Sequence, residues 1–153
     1  MIPQLEELKN KVVVVTGGGG VLCSSMAESL AEQGAKVAIL DHNLEAESAD
    51  AKKINDKGGK AGWFTANVLE KESLKKAHEA ITKELGSCDI LINGAGGNHP
   101  KGTTSKTHLL QEDLESAEEL KTFFDLDVEG IQFVFNLNFI GTLLPTQIFA
   151  EDM

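Results

Sequence analysis

Four consecutive valines run almost directly into four consecutive glycines: Val12 to Val15, then Thr16, then Gly17 to Gly20. An unbroken β-branched run suits a strand covered on both faces, the situation of a central strand in a parallel sheet. After the glycines, residues 21 to 33 place Leu22, Met26, Ala27 and Leu30 on one helical face, and Gly34 supplies a C-terminal stop. A strand, a glycine turn and a helix form the opening of a crossover unit, which parallel neighbours require.

The unit repeats. KVAILD (36 to 41) is a second strand, Leu44 to Asp56 a weaker amphipathic helix closed by Gly58 and Gly59, and AGWFTA (61 to 66) a third strand. Residues 70 to 85 align Leu74, Ala77, Ile81 and Leu85 on a helical stripe, and CDILING (88 to 94) reads as a fourth buried strand ending in glycine. This alternation predicts an α/β fold, a Rossmann-type doubly wound parallel sheet. The long stretch Gly96 to Thr122 lacks a strong period and reads as a functional loop with one short helix. From Asp127, a good N-cap with Glu129 in the first turn, a last helix is expected to run to about Ala150 with Pro145 inside it and a kink eased by Gly141. One domain spans 1 to 153.

Charge and cysteine content narrow the function classes. With 14 basic against 24 acidic residues the formal net charge is −10, which removes the overall attraction that nucleic acids and anionic membranes demand. Two cysteines, Cys23 and Cys88, make no disulfide framework, and with His42, His78, His99 and His108 they show no metal-ligand spacing. The N-terminus MIPQLEELKNK lacks the apolar core of a secretory signal, so a cytoplasmic location is expected. Residues 131 to 150 carry no formal charge but hold Gln132, Asn136, Asn138, Thr142, Thr146 and Gln147, a polar load that argues for a buried or interface helix over a membrane span.

The glycine turn is the strongest candidate for chemistry. Backbone amides at a helix N-terminus attract anions, and residues without a Cβ let a pyrophosphate approach, so Thr16, Gly17, Gly18, Gly19, Gly20, Val21 and Leu22 form a candidate phosphate cradle. A kinase-type loop is disfavoured, because no lysine occurs from Val12 to Gln33. Asp41 ends the second strand, where a carboxylate accepts hydrogen bonds from the hydroxyls of an adenosine ribose and repels a 2′-phosphate, favouring NAD over NADP. Its plainer role is a cap ahead of Leu44. Asn93, Gly94, Ala95 and Gly96 close the fourth strand with small residues that leave room for a flat ring and sugar. His99 and His108 in the loop read as solvated, and Glu112, Asp113, Glu115, Glu118 and Glu119 as a solvated helix face.

Together these stretches resemble the short-chain dehydrogenase/reductase family. Thr16 to Cys23 resembles its cofactor fingerprint, Asp41 its NAD-selecting acid, and Asn67-Val68 the Asp-Val pair near the adenine. Asn93 to Gly96 resembles its Asn-Asn-Ala-Gly signature, and Asn138 the asparagine of its catalytic tetrad. NHPKGTT and FFDLDVEGIQFVFNLNFIGTLLPTQIFAEDM look most like members that interconvert alcohol and ketone on sugar acids of the mannonate and fructuronate kind. The resemblance implies NAD as cofactor, a small sugar-acid substrate, and a homo-oligomer formed through the 128 to 150 helix.

Three departures accompany the resemblance. Cys23 replaces the last fingerprint glycine, and Gly94 replaces the second asparagine of the signature. The family's serine and Tyr-x-x-x-Lys have no counterpart: the chain contains no tyrosine, and no lysine follows Lys121. In the family the tyrosine transfers the proton, lysine lowers its pKa, and serine orients the carbonyl. Asn138 alone has only a supporting role, so the chain is expected to be the truncated cofactor half of such an enzyme, inactive alone, with an unpaired fourth-strand edge and uncovered apolar surface. The alternatives are a non-catalytic nucleotide-binding or interaction module and a methyltransferase, the latter giving Asn93 to Gly96 and Asn138 no role.

Overall fold

The computed structural model describes residues 5 to 42, 49 to 115 and 120 to 153. Strands β1 (Val12–Thr16), β2 (Lys36–Asp41), β3 (Lys60–Thr65) and β4 (Ile90–Asn93) form one sheet in the order β3-β2-β1-β4. All three pairings are parallel, with Val14 opposite both Ala38 and Leu91. Helices α1 (Val21–Glu32), α2 (Ala49–Asp56) and α3 (Lys71–Glu84) make the crossovers. The fold is therefore the Rossmann-like α/β arrangement that the alternating pattern predicts. The expected start of the second helix, 44 to 48, lies outside the described residues.

Burial follows the two-residue period of the strands. Val12, Val14, Ala38, Leu40 and Phe64 face one core, packed with Leu74, Ala77 and Ile81 of α3. Val13, Val15, Val37 and Ile39 face the other, against Cys23, Ala27 and Ala31 of α1 and Ile54 of α2. With both faces covered, β1 needs apolar residues at every position, which is why it is an unbroken valine run. Helix α1 matches its expected face only in part: Ala27 is buried and Leu30 packs on the core, but Leu22 and Met26 are exposed, and Cys23 and Ala31 complete the buried row. Small side chains there let the helix lie close to the sheet. Strand β4 also differs, since Ile90 to Asn93 are only half-buried. Among the described residues it pairs on one side alone, as an edge strand.

The loop after β4 contains a 3-10 turn over Pro100–Gly102, the short helix α4 (Gln111–Glu115) and a second 3-10 turn over Phe123–Asp125. Asp113 corrects the expected solvated acidic face: it is buried, takes a hydrogen bond from the Leu110 backbone and pairs with Lys106. The Lys106 ammonium, then the Leu110 N–H, hold its carboxyl below the usual range. Glu118, Glu119 and the side chain of Glu115 lie outside the described residues.

The last helix begins at its expected cap, with the Asp127 side chain accepting from the Glu129 N–H. It runs as α5 (Val128–Phe135), a π-helical turn over Asn136–Ile140, and α6 (Gly141–Phe149), passing through Pro145. Gly141, Pro145, Ile148 and Phe149 are buried, Phe149 completely, and α6 packs on α3. Phe135 and Phe139 are 69% and 63% exposed, so the outward face is not the buried one the uncharged composition also allowed. The run Val128–Asp152 is long and apolar enough to cross a membrane by length and composition only.

Candidate functional site

The residues singled out by sequence gather at the carboxyl ends of β1, β2 and β4, where open parallel sheets bind ligands beside a topological switch. Gly17 has φ +64°, a conformation glycine adopts freely. A Cβ there would lie 2.7 Å from Ala95 Cα, so the turn after β1 presses directly on the backbone after β4. Gly18 donates its N–H to the Leu40 carbonyl at 3.2 Å, and a Cβ on it would strike Ile39 Cγ2 at 2.7 Å. Gly19 donates to Asp41 Oδ2 at 3.0 Å, and a Cβ there would meet Trp63 Cη2 at 2.9 Å. The glycine turn is thus wedged between β2 and β4; Gly17 and Gly18 are held against backbone atoms, whereas a Cβ on Gly19 meets only side-chain atoms.

Thr16 ties the two halves together. Its Oγ1 accepts the N–H groups of Gly94 and Ala95 at 3.1 and 3.2 Å, and its carbonyl accepts Gly94 N–H at 3.1 Å. Helix α1 then starts at Val21, after Gly20 as an N-cap with no side chain to cap it, leaving the amides of its first turn directed at the space above the sheet. Val21 and Leu22 flank that space with exposed side chains. Asp41 closes the other side, with a largely buried side chain whose Oδ1 also lies 3.2 Å from His42 Nδ1. The expected cap target at Leu44 lies outside the described residues.

Asn138 is delivered by the π-helical turn. Its Nδ2 donates to the carbonyls of Gly97 and Val134, both at 2.8 Å, and its Oδ1 accepts Gly97 N–H at 3.2 Å. It braces the loop that continues from Asn93 to Gly96. Asn93 donates from Nδ2 to Thr146 Oγ1 at 3.0 Å, which holds β4 to α6, while its Oδ1 is buried without a hydrogen-bond partner among the described residues. At the end of β3, Asn67 is occupied with a local turn, accepting from Leu69 N–H and donating to Glu70. Val68 is buried beside Gly141.

Other candidates have structural employment. His99 Nδ1 accepts the Lys101 N–H and its ring lies 5.0 Å from that of Phe133. Cys88 is buried, and burial pushes its thiol up to about 11. Burial, then the charge on Asp41, also raises Cys23. Sequence reasoning missed Trp63, whose indole forms the wall beside Gly19 and whose buried Nε1 has no hydrogen-bond partner among the described residues. Trp63 lies within β3 opposite Ile39, and its place in the third expected strand, beside the strand that ends in Asp41, was the available signal.

These features fit a dinucleotide: a glycine cradle that a Cβ would fill, uncapped helix amides, and a carboxylate at the end of the second strand. Comparison with known proteins agrees. The short chain dehydrogenase profile matches residues 11–153. An uncharacterized oxidoreductase of Haemophilus influenzae is 55% identical over 146 residues, covering 95% of this chain and 50% of that protein. The uncharacterized oxidoreductase UxuB of Bacillus subtilis is 46% identical over 153 residues, covering 100% of this chain and 53% of that protein. A crystal structure from Haemophilus influenza, provisionally described as a D-mannonate oxidoreductase with bound NAD, superposes with a TM-score of 0.83 at 51% identity, covering 95% of this chain and 51% of that one. The chain thus spans about half the length of the relatives it matches. On the geometry of the glycine turn and on these matches together, the chain belongs to the short-chain dehydrogenase family.

Proposed function

We propose that this chain binds NAD across the carboxyl edge of its sheet and represents the cofactor-holding half of an oxidoreductase acting on a sugar acid. The pyrophosphate goes over the Cβ-free turn Gly17 to Gly20 toward the uncapped amides of the first turn of α1, flanked by Thr16, Val21 and Leu22. The adenosine ribose goes to Asp41, the adenine toward Asn67 and Val68, and the nicotinamide ribose to Asn93, Gly94, Ala95 and Gly96. Bound NAD would supply the hydride acceptor for oxidation of an alcohol to a ketone. Asn138 keeps the nicotinamide-side loop in place through Gly97. The tyrosine that the family resemblance implies for proton transfer is absent from these 153 residues, so this chain alone is expected to turn over no substrate.

The observation that carries the reading is the hydrogen bond from Gly19 N–H to Asp41 Oδ2, which fixes a carboxylate beside the phosphate turn. A 2′-phosphate placed there meets like charge, a cost of several kcal/mol. The mannonate-like substrate class is supported by the description of the NAD-bound relative. The exposed apolar row of α5 and α6 supports self-association through 128 to 150, and the net charge of −10 argues against nucleic-acid and anionic-membrane partners. Equilibrium titration with NADH and NADPH tests the core of the reading. The chain is expected to favour NADH by at least about tenfold, and Asp41→Ala to bring the two within about threefold. Undiminished discrimination in Asp41→Ala would remove Asp41 from this role.

A further inference from the structure

The two small-residue departures from the family pattern meet in space. A Cβ built on Gly94 lies 2.2 Å from Cys23 Sγ and 2.8 Å from the Thr16 carbonyl oxygen. Gly94 does not occupy the left-handed region, so its backbone places no demand for glycine. A side chain is excluded by the thiol, which makes the closest contact, and by the Thr16 carbonyl oxygen. Cys23 is 8% exposed, and a thiol kept neutral by burial packs as a small apolar group. Gly94 cannot retreat easily, because its N–H is held by both Thr16 Oγ1 and the Thr16 carbonyl. Cys23 in turn sits in the first turn of α1, the helix end that faces the pyrophosphate in the reading above.

We infer that Cys23 and Gly94 are a matched pair of positioning residues: together they set the separation between the N-terminus of α1 and the loop after β4, and cofactor affinity depends on them jointly. Each alone departs from the family pattern, and each makes room for the other. The inference rests on the NAD-binding reading.

A double-mutant cycle on the full chain tests it, with NADH affinity read from nicotinamide fluorescence at a temperature where thermal melts show every variant folded. Gly94→Asn should weaken NADH by about tenfold, and adding Cys23→Gly should recover at least about fivefold of that loss. The close approach to the Thr16 carbonyl is present with and without the thiol, so it cancels from the cycle. If Gly94→Asn does not fold, Gly94→Ala serves in its place, because it adds only the colliding Cβ. A parent that binds NADH with effects that multiply to within about twofold would overturn the matched pair while leaving the cofactor reading intact. A parent that does not bind NADH overturns the cofactor reading, and the positioning role with it.

Discussion

Gly17→Ala probes the contact on which the site is built. The substitution meets two obstacles: a backbone at φ +64°, and a Cβ 2.7 Å from Ala95 Cα, 2.8 Å from Ala95 N and 2.9 Å from Gly94 C. All three neighbours are backbone atoms, and their amides are held by Thr16 Oγ1, so they cannot swing aside as a side chain would. Left-handed backbone in a residue with a Cβ costs roughly 1 to 2 kcal/mol, and overpacking adds about 1 to 3. Gly58→Ala is the control, with φ +85° and nothing within 4 Å of its Cβ. It should show only the backbone cost, about 1 kcal/mol after the lower entropy of the unfolded alanine chain is allowed for. Urea unfolding followed by the fluorescence of Trp63 should therefore place Gly17→Ala about 2 kcal/mol below Gly58→Ala, or about 4 to 8 °C lower in melting temperature. Equal destabilisation within about 0.5 kcal/mol would refute the claim that the glycine turn is pressed against the loop after β4.

Other outcomes follow from the same contacts. Asn138→Ala removes the braces on Gly97, which are exposed, and should cost about 0.5 to 1.5 kcal/mol, with faster hydrogen exchange at the Gly97 amide as its local signature. The Lys11 ammonium, then the Val12 N–H, hold the Asp89 carboxyl below its ordinary value of 3.8. Its stabilising contribution is therefore complete above the ordinary carboxylate range and is lost as pH falls through the lowered value, and Asp89→Asn should flatten the acid limb of urea midpoints measured against pH. Cys88, with its thiol near 11, should resist alkylation at pH 8 in the folded chain and react in urea.

Much of this architecture was legible because burial imposes composition. A central parallel strand has no solvent face, so β1 had to be continuously apolar, and its end was marked by the residues the cofactor turn requires. Helix ends carrying Asp127 or Gly34 were equally visible, since capping is local chemistry. The face of α1 was legible only in part: Leu22 and Met26 share its period with Cys23 and Ala27, and only the closeness of helix to sheet decides which row turns inward. Asp113 looked solvated because its partner, Lys106, lies in an irregular loop without periodicity. The bracing of Gly97 by Asn138 depends on a π-helical turn, which has no composition of its own. Cys23 and Gly94 each read as a flaw in a motif, because residues from separate crossover units reveal their complementarity only when the sheet brings them together.

NAD bound across the carboxyl edge of the sheet would lie beside Gly19 and Asp41, where the chain has its own reporter. Trp63 is the only tryptophan, and its ring edge lies 2.9 Å from the Cβ position of Gly19. Titration with NADH while exciting Trp63 should give saturable quenching of indole emission, sensitised nicotinamide emission, and reversal of both by excess NAD. Unchanged Trp63 emission in a folded chain, once optical absorption is corrected for, at NADH concentrations of about 1 mM would contradict binding at this edge.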